Sequence, residues 1–391
     1  MRRTTVLRTT TLATSIAAAL VLTACGGGGT APSAPQATAT AAPADSPLNL
    51  AGACPATVVV QEDWQPEAEH GSAYSLVGPD RTIDTNAKKV RGSLVAQGVD
   101  TGVDIEVRTG GPNVGFQPVP ALMKLDESIT LGTVYSDVAI SSSDDQPVVG
   151  VVAQLTTSPV ILMWDPASHP GATTVKDVAA SGVPVLTSDP VVSALLESKG
   201  IVAKAQVDAS YDGSPARFVA DPKILQQGYI TSEPYLYENE IAQWKKPVAS
   251  QKLVDLGYTV YPSSLSVRAD KLEQLRPCLA KLVPILQRAQ LDYLANPAPT
   301  NALIVQLVEA YQTGWSYSPG VADNAVKVLR DQKLVTNDPA SGVFGQFDPA
   351  RVQQIVSTFA PILQAQGAIK DVPAPQTLYT NDFIDKNIKM S

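Results

Sequence analysis

The sequence predicts an α/β protein with two lobes and a cleft between them. Three observations favour this fold class. About 340 residues remain after an N-terminal leader and a low-complexity segment, which is too many for one small core and suits two lobes. Short apolar runs alternate with helical segments in two separate regions. A long, mainly helical region follows them.

The N-terminus has the layout of a secretory signal peptide. Arg2, Arg3 and Arg8 precede an uncharged apolar stretch over 12–24, which is shorter than the roughly 20 residues that span a membrane. Leu22-Thr23-Ala24-Cys25 is similar to a bacterial lipobox, so we expect Cys25 to be lipidated. The alternative is an ordinary secretory signal with an incidental cysteine. The expected location is the extracytoplasmic face of the cell membrane, held by the lipid anchor.

Composition and element order predict the domain boundaries. We expect a signal peptide over 1–24, then the lipidated cysteine and a disordered tether over 25–53, rich in Gly, Ala, Pro and Thr. The first lobe is expected to comprise 54–157 together with 264–391. The second lobe is expected over 158–263, so that the chain crosses between the lobes twice at hinge segments.

The first lobe is expected to begin with a strand over 57–61 and to contain a second over 103–107, with helical sequence between them. Short apolar runs over 138–140 and 148–155 predict two further buried strands.

The second lobe alternates strands and helices, and a return strand follows within 258–267. Apolar residues spaced by three and four then predict amphipathic helices over 269–295, 300–313, 322–334 and 349–366.

Charge and cysteine content limit the partners. The formal net charge of −8 becomes −11 once the three leader arginines are removed, and no basic cluster offsets it. An acidic body disfavours nucleic acid as a partner. Cys54 and Cys278 are the remaining cysteines, and an isolated pair in an oxidising compartment predicts a disulfide, with two buried free thiols as the alternative.

Several motifs carry a family resemblance. Gln61-Glu62-Asp63-Trp64-Gln65-Pro66-Glu67-Ala68-Glu69-His70-Gly71 resembles the opening motif of NMT1/THI5-like solute-binding proteins. Gly110-Gly111-Pro112-Asn113, then 227–235, then Tyr379-Thr380-Asn381-Asp382-Phe383-Ile384 are similar to later motifs of that family. The resemblance implies a type II periplasmic-binding-protein fold and a role in ABC-type import. The implied solutes are pyrimidines, thiamine or riboflavin precursors, or small anions such as nitrate and sulfonates.

The sequence departs from the pyrimidine-synthesising enzymes of that family. Those enzymes carry a Cys-rich iron-binding motif and a lysine for pyridoxal phosphate. Here no lysine lies between Cys54 and Lys88, and the two cysteines are far apart. We therefore expect no cofactor and no enzyme activity.

The residues after the first strand are the first ligand-binding candidates. Trp64 offers a flat ring for stacking, which contributes on the order of 1 kcal/mol beyond burial, although a core tryptophan is the alternative. His70 opens a helix and can donate or accept a hydrogen bond, and a capping imidazole is its alternative. Tyr74 lies one turn further on the same face.

The second lobe supplies another group of candidates. Tyr211 and Ser214 lie in a loop that leads into a helix, where free amides can hold a ligand oxygen. Glu233 precedes Pro234 and is therefore expected in a loop at the edge of the cleft, on the lobe opposite Trp64. Tyr235, with Tyr237, adds an aromatic wall; Asn113, Ser136 and Asp137 are weaker candidates, chosen because they follow strands.

The expected ligand is a neutral or weakly basic flat heterocycle. The candidate segments 61–75, 110–116, 135–145 and 231–238 contain no Arg or Lys, although Arg108 and Arg217 lie nearby. A small anion that leaves water needs compensating cations or a dense set of hydrogen-bond donors. Glu67, Glu69 and His70 could imitate a metal site, but we expect no metal, since hard metal sites need more ligands.

The sequence thus predicts a monomeric substrate-binding subunit that delivers a small heteroaromatic solute to an ABC permease and ATPase complex. One alternative is a binding protein for nitrate, sulfonate or taurine. The others are an extracytoplasmic enzyme, with His70 and Glu69 doing acid and base work, and a sensor on the same fold.

Overall fold

The computed structural model describes residues 39–391, which fold around two β-sheets with helices packed on them. The predicted signal peptide, the lipobox and Cys25 lie outside the described residues. Within the described part, no helix has both the length and the apolarity needed to cross a membrane.

The first lobe is built on an eight-stranded mixed sheet in which β2, β5 and β6 are parallel. Its strand order is β3-β4-β5-β2-β6-β13-β7, with β1 paired to the start of β5. The strands are β1 (Thr40–Ala41), β2 (Thr57–Gln61), β3 (Thr82–Asp84), β4 (Lys89–Ala96), β5 (Val99–Arg108), β6 (Ile129–Val134), β7 (Val148–Ala153) and β13 (Ser264–Arg268).

The second lobe is built on a five-stranded sheet in the order β10-β9-β11-β8-β12. Strand β8 is antiparallel to both of its neighbours, whereas β9, β10 and β11 are parallel. The strands are β8 (Val160–Trp164), β9 (Val185–Leu186), β10 (Val207–Asp208), β11 (Leu225–Tyr229) and β12 (Ala249–Lys252).

Eleven α-helices surround the sheets in the described residues. Short helices follow the strands of both lobes, and the four long helices that the apolar spacing predicts are present near the C-terminus. The helices are α1 (Gly71–Ser75), α2 (Val119–Leu125), α3 (Ser136–Ser141), α4 (Val175–Ala179), α5 (Pro190–Ser198), α6 (Ala216–Ala220), α7 (Glu233–Asn239), α8 (Leu272–Ala295), α9 (Ala298–Tyr311), α10 (Pro319–Asp331) and α11 (Pro349–Ala365).

The chain crosses between the sheets twice, after β7 and again before β13. The two lobes share part of their core, because Phe359 of α11 and Val192 of α5 belong to one buried apolar cluster. The α/β, two-lobed architecture with two crossovers is therefore as predicted.

Two local predictions for the first lobe are wrong. The run over 138–140 lies in helix α3 and not in a strand. A run of three apolar residues is too short to distinguish a helical turn from a strand. The segment between β2 and β5, which was expected to be helical, is helical only over 68–75, as a 3-10 turn (Ala68–His70) followed by the short helix α1, and then contains the hairpin strands β3 and β4. The tight turn between β4 and β5 places Gly98 at φ +78°, a backbone conformation that suits glycine.

The predicted tether extends too far along the chain. Strand β1 pairs in parallel with β5 through Thr40 and Ala41, and the Leu50 side chain is fully buried in the core of the first lobe. The Leu50 amide also donates to the Thr101 carbonyl oxygen at 2.8 Å. Residues from 40 onward therefore belong to the first lobe. The composition of this segment alone indicates disorder, but the strand pairing of β1 and the burial of Leu50 hold it against the sheet.

Cys54 and Cys278 form a disulfide in the structure, joining the segment before β2 to helix α8 across 224 residues of sequence. Cys278 is buried among apolar side chains of the first lobe, and Cys54 packs against the same cluster. The bridge therefore joins the N-terminal strand region to the helical C-terminal region within one lobe.

Replacing both cysteines, as Cys54→Ala with Cys278→Ala, should lower the free energy of unfolding by about 5 kcal/mol in the chain-entropy account. The physical reason is that the unfolded chain loses a closed loop of 224 residues. Denaturant unfolding of the oxidised wild type and the double variant measures the difference. Equal unfolding midpoints, with two titratable thiols in the denatured wild type, would show that the bridge does not form.

Candidate functional site

A cavity of about 250 Å³ lies between the two lobes. Both lobes contribute to its lining, with the ends of β2 and β6 on one side and the ends of β8 and β11 on the other. Its lining includes six aromatic side chains, Trp64, Phe116, Tyr135, Tyr211, Tyr229 and Trp315, and four acidic ones, Asp63, Glu67, Asp189 and Glu233.

Three of the nine predicted ligand-binding residues line this cavity. Trp64 does so from the first lobe, and Tyr211 and Glu233 do so from the second. The other six lie elsewhere and are His70, Tyr74, Asn113, Asp137, Ser214 and Tyr235.

The position of Trp64 is fixed by the turn after β5. The Gly110 amide donates to the Trp64 carbonyl oxygen at 2.8 Å. Gly111 has φ +59°, and a Cβ atom added there would lie 2.6 Å from Trp64 Cε3. The absence of a side chain at Gly111 therefore lets the indole pack directly on the backbone. Its ring meets Phe116 at a centroid distance of 6.1 Å and Trp315 at 6.2 Å.

The second lobe reaches the same rings through the loop that holds Tyr211. Gly213 has φ +86°, and a Cβ atom there would lie 2.7 Å from Cζ3 of Trp315. The loop backbone of the second lobe thus lies against an indole of the first lobe. Ser214, which was predicted to bind ligand, instead donates its amide to Asp212 within this loop.

A group of buried acidic side chains lies at the wall of the cavity and behind it. Burial raises the pKa of Glu62, Glu67 and Glu69, and the nearby Glu69 carboxyl raises the pKa of Glu67 further. Burial by itself would lower the pKa of His70, but Glu62 and Asp63 raise it to about 10. His70 is therefore an imidazolium at neutral pH, and its charge stabilises the surrounding carboxylates.

His70 takes part in an ion pair and does not reach the cavity. Its Nε2 lies 2.8 Å from Asp63 Oδ1 and 3.7 Å from Glu62 Oε2. These three residues place possible metal-ligand atoms within 4.8 Å of one another. The ion pair accounts for this arrangement within the described residues, and the absence of a metal stays a prediction.

Glu233 does not lie in a loop as predicted, but begins helix α7, with Pro234 as the second residue. Proline is well tolerated in a first helical turn, so the residue before it need not lie in a loop. The Glu233 carboxylate accepts hydrogen bonds from the Tyr211 hydroxyl at 2.8 Å and from the Tyr229 amide at 2.7 Å. Burial raises the pKa of Glu233 to about 7, and these two bonds oppose that rise.

Hydrogen bonds join the two lobes around the cavity. The hydroxyls of Tyr135 and Tyr229 lie 2.6 Å apart. Tyr258, in the second crossover, donates to Asp137 Oδ2 at 2.7 Å and lies 3.4 Å from Asp189 Oδ2. Asp137 is therefore a residue of the contact between lobes, not of the cavity lining, and burial together with Asp189 raises its pKa to about 7.

The other predicted residues pack against or form hydrogen bonds with neighbouring parts of the protein and do not line the cavity. Tyr74 is buried in the core of the first lobe. Asn113 donates to Thr109 Oγ1 at 3.0 Å, and Ser136 Oγ accepts from the Tyr261 amide at 3.0 Å. Tyr235 is half-buried and packs beside Gly320 of helix α10.

Sequence reasoning missed several lining residues. Tyr135 directly follows strand β6 and was not chosen, although the next two residues, Ser136 and Asp137, were chosen as residues that follow a strand. Trp315 lies between helices α9 and α10, far from the other lining segments in sequence. Tyr229 and Asp63 lie inside the quoted motifs, and their aromatic and acidic character could have identified them.

None of the described lining residues is a lysine or an arginine. Two arginines that lie near candidate residues in sequence are engaged elsewhere. Arg108 pairs with Glu106 and Asp126, and Arg217 pairs with Asp208 at 3.1 Å. The cavity is therefore aromatic and acidic, as the absence of basic residues from the candidate segments indicates.

No family model matches the chain, and no curated protein matches it in sequence. Solved structures match it in fold. One is the periplasmic aliphatic sulphonate binding protein SsuA from Escherichia coli, with a TM-score of 0.52 and 12% identity, covering 85% of this chain and 94% of that one. The ligand binding component of an ABC-type import system from Staphylococcus aureus, with zinc bound, has a TM-score of 0.50 and 12% identity, covering 86% and 99%.

A protein from Bordetella bronchiseptica RB50 matches with a TM-score of 0.51 and 14% identity, covering 84% of this chain and 96% of that one. The chain has the periplasmic-binding-protein fold. At these identities the matches show the fold alone, so the ligand has to be argued from the cavity.

The contact between lobes predicts a pH-dependent stability. Because the pKa of Asp137 is raised to about 7 in the folded state, the folded protein retains a proton that the unfolded chain loses near pH 4. The free energy of unfolding should therefore fall as pH rises from about 4 to 7, by on the order of 1 to 4 kcal/mol for this group.

Asp137→Asn keeps an oxygen that accepts from Tyr258 but cannot ionise. Thermal unfolding between pH 4 and 8 should show the variant gaining stability over the wild type as pH rises towards 7. Glu238→Gln, on the exposed side of helix α7, is the matched control and should follow the wild type. A constant difference between Asp137→Asn and wild type across this range would contradict the assignment.

Proposed function

We propose that this chain is the substrate-binding subunit of an ABC importer, which captures a small flat heteroaromatic solute in the cleft and delivers it to a membrane permease. The observation that carries the proposal is the cavity itself, which has six aromatic side chains and no lysine or arginine among its described lining residues. The fold supports the transport role, and the aromatic lining supports the class of solute.

The resemblance to NMT1/THI5-like proteins agrees with this choice of solute. Pyrimidines and the precursors of thiamine or riboflavin present flat rings with hydrogen-bonding edges. In the cavity, the Trp64 ring supplies a stacking surface from the first lobe, and Tyr211 and Tyr229 supply ring faces and hydroxyls from the second. Glu233 acts as a positioning residue, since it holds the Tyr211 hydroxyl.

Nitrate, sulfonate or taurine is the alternative class of solute. A small anion that leaves water needs a cation or several converging donors to replace its hydration. The lining offers four carboxyl groups and no basic side chain in the described residues, so no side-chain cation replaces that hydration. The described cavity therefore favours the heteroaromatic class over this alternative.

Catalysis by His70 and Glu69 is not supported by their positions. The imidazole is paired with Asp63, and Glu69 Oε1 accepts a hydrogen bond from Thr231. Neither residue lines the cavity, so neither can exchange a proton with a solute bound there. We propose that the chain binds its solute as a monomer and without covalent chemistry. A sensor on the same fold is the remaining alternative, and an uptake assay distinguishes it from a transport subunit.

In this proposal, lipidated Cys25 holds the protein to the outer side of the cell membrane. The second lobe corresponds to 158–263. The first lobe corresponds to 54–157 with 264–391 and also includes the ordered residues from 40 onward.

Trp64→Ala should weaken solute binding about five-fold to a hundred-fold, because it removes a stacking surface that contributes on the order of 1 to 3 kcal/mol. Isothermal titration calorimetry with pyrimidines, flavins, nitrate and taurine measures the affinities. Nitrate and taurine should bind neither protein appreciably.

The matched control is Trp244→Ala. Trp244 packs on Phe218 and Tyr237 in the second lobe and does not line the cavity. This control should lower thermal stability without changing the affinity for the solute. Tight binding of nitrate or taurine, with no heterocycle bound and Trp64→Ala unaffected, would overturn the proposed class of solute.

A further inference from the structure

The acidic side chains of the cavity are not equivalent. Asp63 accepts from protonated His70, and Asp189 accepts from the amides of Val191 and Val192 at the start of helix α5. Glu233 accepts from Tyr211 and Tyr229, as described above. Three of the four carboxyl groups of the lining are therefore already satisfied by protein donors.

Glu67 is the exception. Its side chain lines the cavity, the residue is only 2% exposed, and its Oε1 is buried without a hydrogen-bond partner among the described residues. A buried acceptor without a hydrogen-bond partner is destabilising, and more so when it is charged. Such a group is expected to gain a partner when the cavity is filled.

The aromatic rings around Glu67 favour the same kind of partner. Aromatic faces carry negative electrostatic potential and attract a cation that lies within about 6 Å of the ring centre. The cavity combines such rings with an unpartnered carboxyl group and offers no lysine or arginine to compete within the described lining. A positively charged planar group would therefore interact favourably with the rings and with the carboxylate.

The titratable groups around Glu67 determine its charge and therefore its interaction with a cation. Its pKa is raised well above the usual value, first by burial and then by the neighbouring Glu69 carboxyl, while His70 opposes the rise. The titratable groups that face it are Asp63, Glu69 and His70 from its own segment, Glu233 from the second lobe, and the hydroxyls of Tyr74, Tyr135, Tyr211, Tyr229 and Tyr317.

His70 is the only cation in that set, and Asp63 and Glu62 already hold it. The surroundings of Glu67 in the empty cavity therefore favour its protonated form more than water does.

We propose that the solute binds as a monocation, a planar nitrogen base that is protonated or quaternary, with the Glu67 carboxylate as its counter-ion and the aromatic rings of the cavity around it. This inference rests on the proposed function and narrows its solute class from flat heterocycles to cationic ones.

Binding should be linked to a proton. The arriving cation favours the ionised form of Glu67, so at a pH below the raised pKa of Glu67 the carboxyl group releases its proton to solvent when the cation binds. The affinity for a quaternary cation should therefore rise with pH until Glu67 is ionised in the empty protein. A neutral ring gains nothing from that ionisation, so its affinity should not rise in the same way.

Three pyridines of similar size, each with a different charge, test the proposal on the intact chain. Nicotinate is an anion, nicotinamide is neutral and 1-methylnicotinamide is a permanent cation. Calorimetry should show 1-methylnicotinamide binding about ten-fold or more tightly than nicotinamide, from its charge and from cation–π attraction. Nicotinate should bind weakest. Repeating the titration in two buffers of different ionisation enthalpy should reveal proton release for the cation alone.

Glu67→Gln and Glu69→Gln form the matched pair of variants. Both replace a buried glutamate of one short segment, but only Glu67 lines the cavity. Glu67→Gln should remove most of the preference for the cation over nicotinamide and abolish proton release. Glu69→Gln should change all three affinities together and leave that preference in place. Thermal unfolding confirms that both variants are folded, and the three-probe comparison on the wild type stands without them.

The outcomes show whether the cationic solute alone fails or the proposed function fails with it. If nicotinamide binds as tightly as 1-methylnicotinamide and Trp64→Ala weakens both, the cationic solute is wrong while the aromatic solute stands. If Glu67→Gln and Glu69→Gln behave alike, Glu67 is not the counter-ion. If none of the pyridines and no heterocycle binds, the proposed function and this inference both fail.

Discussion

The ion pair between His70 and Asp63 holds in place the acidic segment on which the cavity depends. Without the imidazolium, the carboxyl groups that follow β2 would be buried together with no opposite charge, which is costly in a low-dielectric interior. With it, the loop after β2 turns so that Trp64 and Glu67 line the cavity while Glu62 and Glu69 remain behind them. One buried cation thus makes an acidic binding site compatible with a stable fold.

The contacts that close the cleft come from residues next to those that line it. Tyr135 and Tyr229 line the cavity and also join the lobes through their hydroxyls, and Tyr258 connects Asp137 of one lobe to Asp189 of the other. A solute that fills the cavity would favour the arrangement in which these contacts form, because its binding surface is complete only there. Solute binding and lobe closure are therefore expected to be coupled.

The sequence predicted the architecture better than the site. Long apolar periodicities identified helices α8 to α11, and the two distant cysteines indicated the bridge that the structure contains. The site was harder because its residues converge from separate segments. Trp315 has no local signal, whereas Tyr135 and Asp137 both follow strand β6 and only Tyr135 lines the cavity. His70 was chosen because an imidazole can donate or accept a hydrogen bond. In the folded structure it forms an ion pair with Asp63, which the sequence alone does not show.

Native mass spectrometry of the full chain, released from the membranes of its own cells in detergent, tests the central claim most directly. The account predicts one bound molecule per chain, which tandem fragmentation identifies as an aromatic nitrogen base. Trp64→Ala should carry less of that molecule than the wild type, and the control Trp244→Ala should retain it. A bound sulfonate or other anion that Trp64→Ala retains as well as the wild type would contradict the account.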